Sequence, residues 1–142
     1  MAQKQLQELS VEECLQLLTQ ARVGRLAYLD EMGPVAVPVN FATVDRDIYF
    51  RVEDGVKRAA IGQPCLAFEV DHIDDDQHAG WSVIARGAGR EVPPDDLPAL
   101  LKRMHGSFPA PWALGIHNVW LQLSPHTITG RRLGQERSAP TF

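Results

Sequence analysis

The sequence predicts a mainly β fold, an antiparallel β-barrel of six to seven strands with peripheral helices. Two observations carry that reading. Apolar, β-branched and aromatic runs recur at short intervals: VGRLAYL, PVAVPVNFA, IYFRV, CLAFEV, WSVIARGAGREV, VWLQL and TITGRR. Most gaps between them are too short for the crossover helix that a parallel pair needs, which leaves antiparallel pairing, and closure of such a sheet removes its exposed edges.

The elements follow in order. Ser10-Val11-Glu12-Glu13 spells a capping box, and Val11, Cys14, Leu15 and Leu18 continue it at helical spacing, so a short amphipathic helix is expected over residues 10–20. A strand over 23–29 precedes the turn Asp30-Glu31-Met32-Gly33-Pro34, and the next strand covers 35–42. Pro38 inside that strand demands an edge, a bulge or a place where something else approaches the backbone. Asp45-Arg46-Asp47 turns the chain into a strand over 48–52, and a short helix covers 56–61. Strands over 65–70 and 81–92 flank the acidic loop HIDDDQHAG. Pro93-Pro94-Asp95-Asp96 opens a helix whose apolar face is Leu97, Leu100, Leu101 and Met104. Strands over 119–123 and 127–132 close the fold, and residues 134–142 read as a loose tail after a single domain of residues 1–133.

Composition narrows the function. With 142 residues, 44% hydrophobic and 23% charged, the chain is long and apolar enough for one core without covalent staples. A net charge of −4 with scattered basic residues argues against a nucleic-acid surface. MAQKQLQELS lacks the apolar centre of a signal peptide, and no run approaches the ~18 apolar residues that span a bilayer. Cys14 and Cys65 lie in apolar surroundings without CxxC or zinc spacing, which reads as two buried free thiols in a reducing cytoplasm.

One corner concentrates positive charge against that acidic background. In YFRVEDGVKRAAI, Arg51 ends a strand while Lys57 and Arg58 open the helix that follows. The first N–H groups of a helix are unpaired and partly positive, so cations beside them suit an anion. Spacing alone leaves an anion site and solvated rim charges both open, and GxxxxGK[ST] is absent.

The other motifs are weaker. Gly87-Ala88-Gly89 lacks the third glycine of a dinucleotide fingerprint and reads as relief in a bent strand. His72, the three aspartates after Ile73 and His78 match no metal-loop spacing and read as a solvated loop, with metal binding left open. His105, His117 and His126 are dispersed, and no nucleophile elbow appears. Trp81-Ser82 belongs to core or dimer interface on its own, although a hydroxyl beside an indole could line a cofactor.

The order LSVEECLQLLTQARVGRLAYL, GPVAVPVNFA, DIYFRVEDGVKRAAI, CLAFEVDHID, GWSVIARGAGREV resembles the pyridoxamine 5′-phosphate oxidase-like flavoproteins, most closely their short actinobacterial-type members, over residues 8 to 132. The resemblance implies a split β-barrel homodimer holding FMN, or alternatively the deazaflavin F420, in grooves between subunits. It implies that Arg51 and Lys57, with Arg58 beside them, hold the phosphate. Pro38, Val39 and Asn40 would bound the flavin ring, Phe50 and Val52 would flank the groove, and Trp81 and Ser82 would reach it from the partner subunit. The C-terminal Arg-x-His element of the true oxidases is missing from WLQLSPHTITGRR, so oxidation of pyridoxamine phosphate is not implied. The expectation is a cytoplasmic, homodimeric flavoprotein oxidoreductase acting on a small molecule, with FMN as cofactor and no catalytic side chain assigned. The alternatives are an F420-dependent reductase or a non-catalytic dimer on the same fold.

Overall fold

The computed structural model describes residues 5–104 and 118–134. In chain order the elements are β1 (Gln5–Leu9), α1 (Val11–Gln20), β2 (Val23–Asp30), β3 (Gly33–Val44), β4 (Asp47–Glu53), α2 (Asp54–Ile61), β5 (Leu66–Asp74), β6 (Ala79–Gly87), β7 (Gly89–Glu91), α3 (Leu97–Arg103), β8 (Asn118–Leu123) and β9 (Thr127–Gly134). The strands form one antiparallel ladder, β1-β9-β6-β5-β2-β3-β4-β8-β7, which does not close on itself. The expected class is therefore met, as a curved open sheet with peripheral helices.

Nine strands among the described residues exceed the six to seven expected. β1 escaped notice because QLQEL has no strong alternation and exists as a strand through its pairing with β9, from Gln5↔Gly134 to Leu9↔Gly130. The expected single strand over 81–92 divides at Ala88, where the chain leaves β5 and β9 and joins β8. Gly87 permits that departure: a Cβ there would run into the Ser124 carbonyl. Gly134, assigned to the tail from sequence, ends β9; residues 135–142, His105 and His117 lie outside the described residues. His72, Ile73 and Asp74 belong to β5 rather than to a loop, and the turn is only 75–78, with His78 at φ 48° and the Gln77 N–H donating to Asp74 Oδ1 at 3.1 Å.

Strand alternation sorts the side chains. Leu26, Phe41, Ile48, Phe50, Phe68, Val70, Val83 and Leu121 fill the main core, with the Phe68 ring centroid 5.0 Å from Phe41 and 5.3 Å from Phe50. α1 closes this core with Cys14, Leu17 and Leu18. It approaches closely because β9 presents Gly130, where a Cβ would stand 2.6 Å from Cys14 Sγ. On the opposite face of β3 and β4, Ala42, Val44 and Tyr49 meet Val92, Leu100 and Met104 in a smaller cluster associated with α3. Cys14 is buried as expected, but Cys65 is exposed, because it precedes β5 instead of lying in it; its sulfur is 3.6 Å from His126 Nε2. Among the described residues no helix is long and apolar enough to cross a membrane.

Candidate functional site

The β4–α2 corner is built by a change of period. Along β4, Ile48, Phe50 and Val52 point into the main core, so Arg51 takes the opposite face. There it pairs across the ladder with Trp120, its guanidinium carbon 5.3 Å from the ring centroid, a cation–π geometry. Burial pulls the Arg51 pKa below its ordinary value, which still leaves an arginine charged.

α2 begins directly after β4. Its N-cap residue, Glu53, has φ −70° and ψ 157° and contributes no side-chain capping bond. Lys57, one turn into the helix, puts its Nζ 3.0 Å from Glu91 Oε2 on β7. Arg58 turns outward: it is 77% exposed and pairs with Asp54 on its own helix at 2.7 Å. The three cations close together in sequence thus have three different surroundings. Arg51 lies on an indole, Lys57 on a carboxylate from another strand, and Arg58 at the solvent rim.

The remaining expected residues fall on two other strands. β3 pairs with β2 along residues 33–40 but with β4 only along 41–44, so the stretch holding Pro38, Val39 and Asn40 has one edge without a strand. Pro38, which has no N–H to offer a ladder, sits there exposed; Val39 leans on the core and Asn40 is half-buried. The side chains of Phe50 and Val52 are buried in the core, and Phe50 is paired on both edges, with Phe41 and Leu121. Trp81 and Ser82 lie on β6, three strands (β5, β2 and β3) away from β4 in the ladder. Trp81 packs against the core, while both line a mostly apolar hollow of about 350 Å³ with Leu6, Ile73, Leu133 and Arg131. The phosphate candidates lie on β4 and on α2 after it, with β3 the ladder neighbour of β4, whereas Trp81 and Ser82 lie on another part of the sheet.

Two features were not read from the sequence. One is Glu91, whose partner Lys57 is distant along the chain and which carries no local signal. The other is a charged cluster on the outer face, where Arg25 contacts Glu69 at 3.4 Å and Asp71 at 3.2 Å. Burial first, and then Asp71, push the Glu69 carboxyl up to about 7 against the opposing pull of Arg25. Alternation in LAFEVD, with Glu69 and Asp71 offset by one from the apolar Leu66, Phe68 and Val70, was the available signal for that face. Among the described residues no group of three His, Cys, Asp or Glu side chains is arranged to hold a metal ion.

An open, mostly antiparallel sheet with peripheral helices defines a recognisable fold class, the split β-barrel. The chain belongs to the family described as pyridoxamine 5′-phosphate oxidase, whose model matches residues 10–132. It is similar to an FAD binding protein from Mycobacterium smegmatis at 30% identity, covering 90% of this chain and 98% of that one with a TM-score of 0.67. An FAD-binding protein from Mesorhizobium loti is 26% identical, with 89% and 97% coverage and a TM-score of 0.70. An uncharacterised protein of Mycobacterium tuberculosis is 26% identical over 94% of this chain and 89% of its own length.

Proposed function

We propose that the protein is a flavin-binding oxidoreductase whose cofactor phosphate rests at the start of α2. The observation that carries this reading is the helix start itself: Glu53 supplies no cap, and Lys57 stands one turn along. Backbone N–H groups left in that state favour an anion, and a lysine adds a compact positive charge. Arg51, rigidified by Trp120, would contribute at the strand end, and Arg58 at the rim. The open edge of β3 at Pro38, Val39 and Asn40 suits a flat ring laid against backbone.

The 30% and 26% identical relatives are FAD-binding proteins, which supports a flavin over an unrelated anion. A bound flavin supplies the redox chemistry; this chain binds, orients and excludes water. FMN and FAD are the two flavins that carry a phosphate for the corner. A homodimer would bring Trp81 and Ser82 of one copy toward the corner of the other. The outer sheet face favours such pairing, because Leu6, Leu133, Gly80 and Ile73 form one cross-strand row in which Leu6 and Ile73 are each 62% exposed.

Purified protein tests both parts. A preparation absorbing near ~450 nm whose heat-released chromophore is FMN or FAD supports the flavin, and a peak near ~420 nm supports a deazaflavin. Colourless protein that acquires no colour from FMN or FAD overturns the reading. A strict monomer by mass in solution overturns the shared groove.

A further inference from the structure

Lys57 does not wait alone for an anion. Its ammonium is held 3.0 Å from the Glu91 carboxylate, with the two side chains 27% and 39% exposed. Glu91 ends β7 and is paired with Leu121 of β8, so the sheet itself presents this carboxylate to α2. An anion that reaches Lys57 therefore arrives beside a fixed negative charge. The other charged groups of the corner are Asp54 and Arg58, tied to each other on α2, and Glu53 and Arg51 at the end of β4. Arg90, the neighbour of Glu91 on β7, is directed to Gln122 Oε1 at 2.7 Å.

We propose that Glu91 is the specificity determinant of this corner, favouring a flavin whose phosphate is a singly charged diester, as in FAD, over the doubly charged phosphomonoester of FMN. The proposal rests on the flavin reading above and adds to it the form of the cofactor. Its physical basis is graded repulsion. A phosphomonoester carries about −1.5 to −2 charges near neutral pH, whereas each phosphate of a pyrophosphate diester carries about −1. At a partly exposed site each ligand charge beside Glu91 weakens binding by roughly threefold. A neutral flavin is indifferent to it.

The test is a titration of wild type and Glu91→Gln with riboflavin, FAD and FMN, followed by flavin fluorescence. Glu91→Gln is expected to leave riboflavin unchanged, to tighten FAD about threefold and to tighten FMN about tenfold. Glu91→Ala should give the same ranking, which guards against a defect special to one substitution. Equal changes for all three ligands overturn the proposal. Weaker FMN binding also overturns it, because that is the result expected if Glu91 only positions Lys57. If wild type binds none of the three, the flavin reading itself falls and this inference falls with it. If wild type binds riboflavin and FMN but the ranking is absent, the inference alone fails.

Discussion

α1 and α2 enter their helices through nearly the same backbone turn and finish it differently. Ser10 precedes α1 at φ −71° and ψ 162°, and Glu53 precedes α2 at φ −70° and ψ 157°. At α1 the Ser10 hydroxyl accepts from the Glu13 N–H at 3.2 Å, and Glu13 Oε1 accepts from the Ser10 N–H at 3.1 Å. At α2 the N-cap side chain is a glutamate that makes no such bond, and the position that would complete a box is Val56. One helix start satisfies its donors from within the chain; the other has a lysine and arginines around it. The difference separates a helix that seals the core from the one proposed to hold the flavin phosphate.

Substitutions at the two starts should therefore have opposite consequences. Lys57→Ala is expected to have the largest effect, because it removes a cation and leaves Glu91 facing the phosphate: about 3 kcal/mol of FMN or FAD binding, roughly a hundredfold in Kd. Arg51→Ala should cost about 2 kcal/mol of the same binding. A flavin titration unchanged in both variants would break the assignment of the corner. Ser10→Ala should do the reverse, lowering stability by about 1 kcal/mol in thermal or urea unfolding while Kd for flavin stays as in wild type. Glu53→Ser joins the two cases. The backbone there already suits a serine cap, so stability should rise by about 0.5 kcal/mol while flavin binding weakens, since the hydroxyl would compete for the same donors.

A pH experiment probes a region apart from both helix starts. Glu69 holds its proton up to about 7 in the folded chain, against an ordinary value of 4.5. The stability linked to that proton is full below about pH 4.5 and is lost as the pH rises toward 7, because only the folded state still binds it in that window. Glu69→Gln should flatten that decline in Tm by about a degree or two. An unchanged profile would show that burial and Asp71 do not hold the proton on Glu69 against the pull of Arg25.

How far the sequence could be read depended on how local each cause was. The capping box at Ser10 and Glu13 and the turn at Gly33 (φ 122°) are set by neighbours along the chain, and both were visible there. The cations of the corner were visible as residues but not as surroundings. Trp120 against Arg51 and Glu91 against Lys57 come from strands that are adjacent only once the sheet is assembled. β1 was missed for the same reason, since its polar residues become a strand only by lying against β9.

By itself, then, the sequence determined the class of fold, the positions of the helices and the place where positive charge gathers, because periodicity and capping act over a few residues. Only the tertiary structure decided which face Arg51 takes, what neutralises Lys57, and that three strands separate Trp81 and Ser82 from β4. Those outcomes follow from pairing register between distant segments, and a shift of one residue in register would send each side chain to the other face of the sheet.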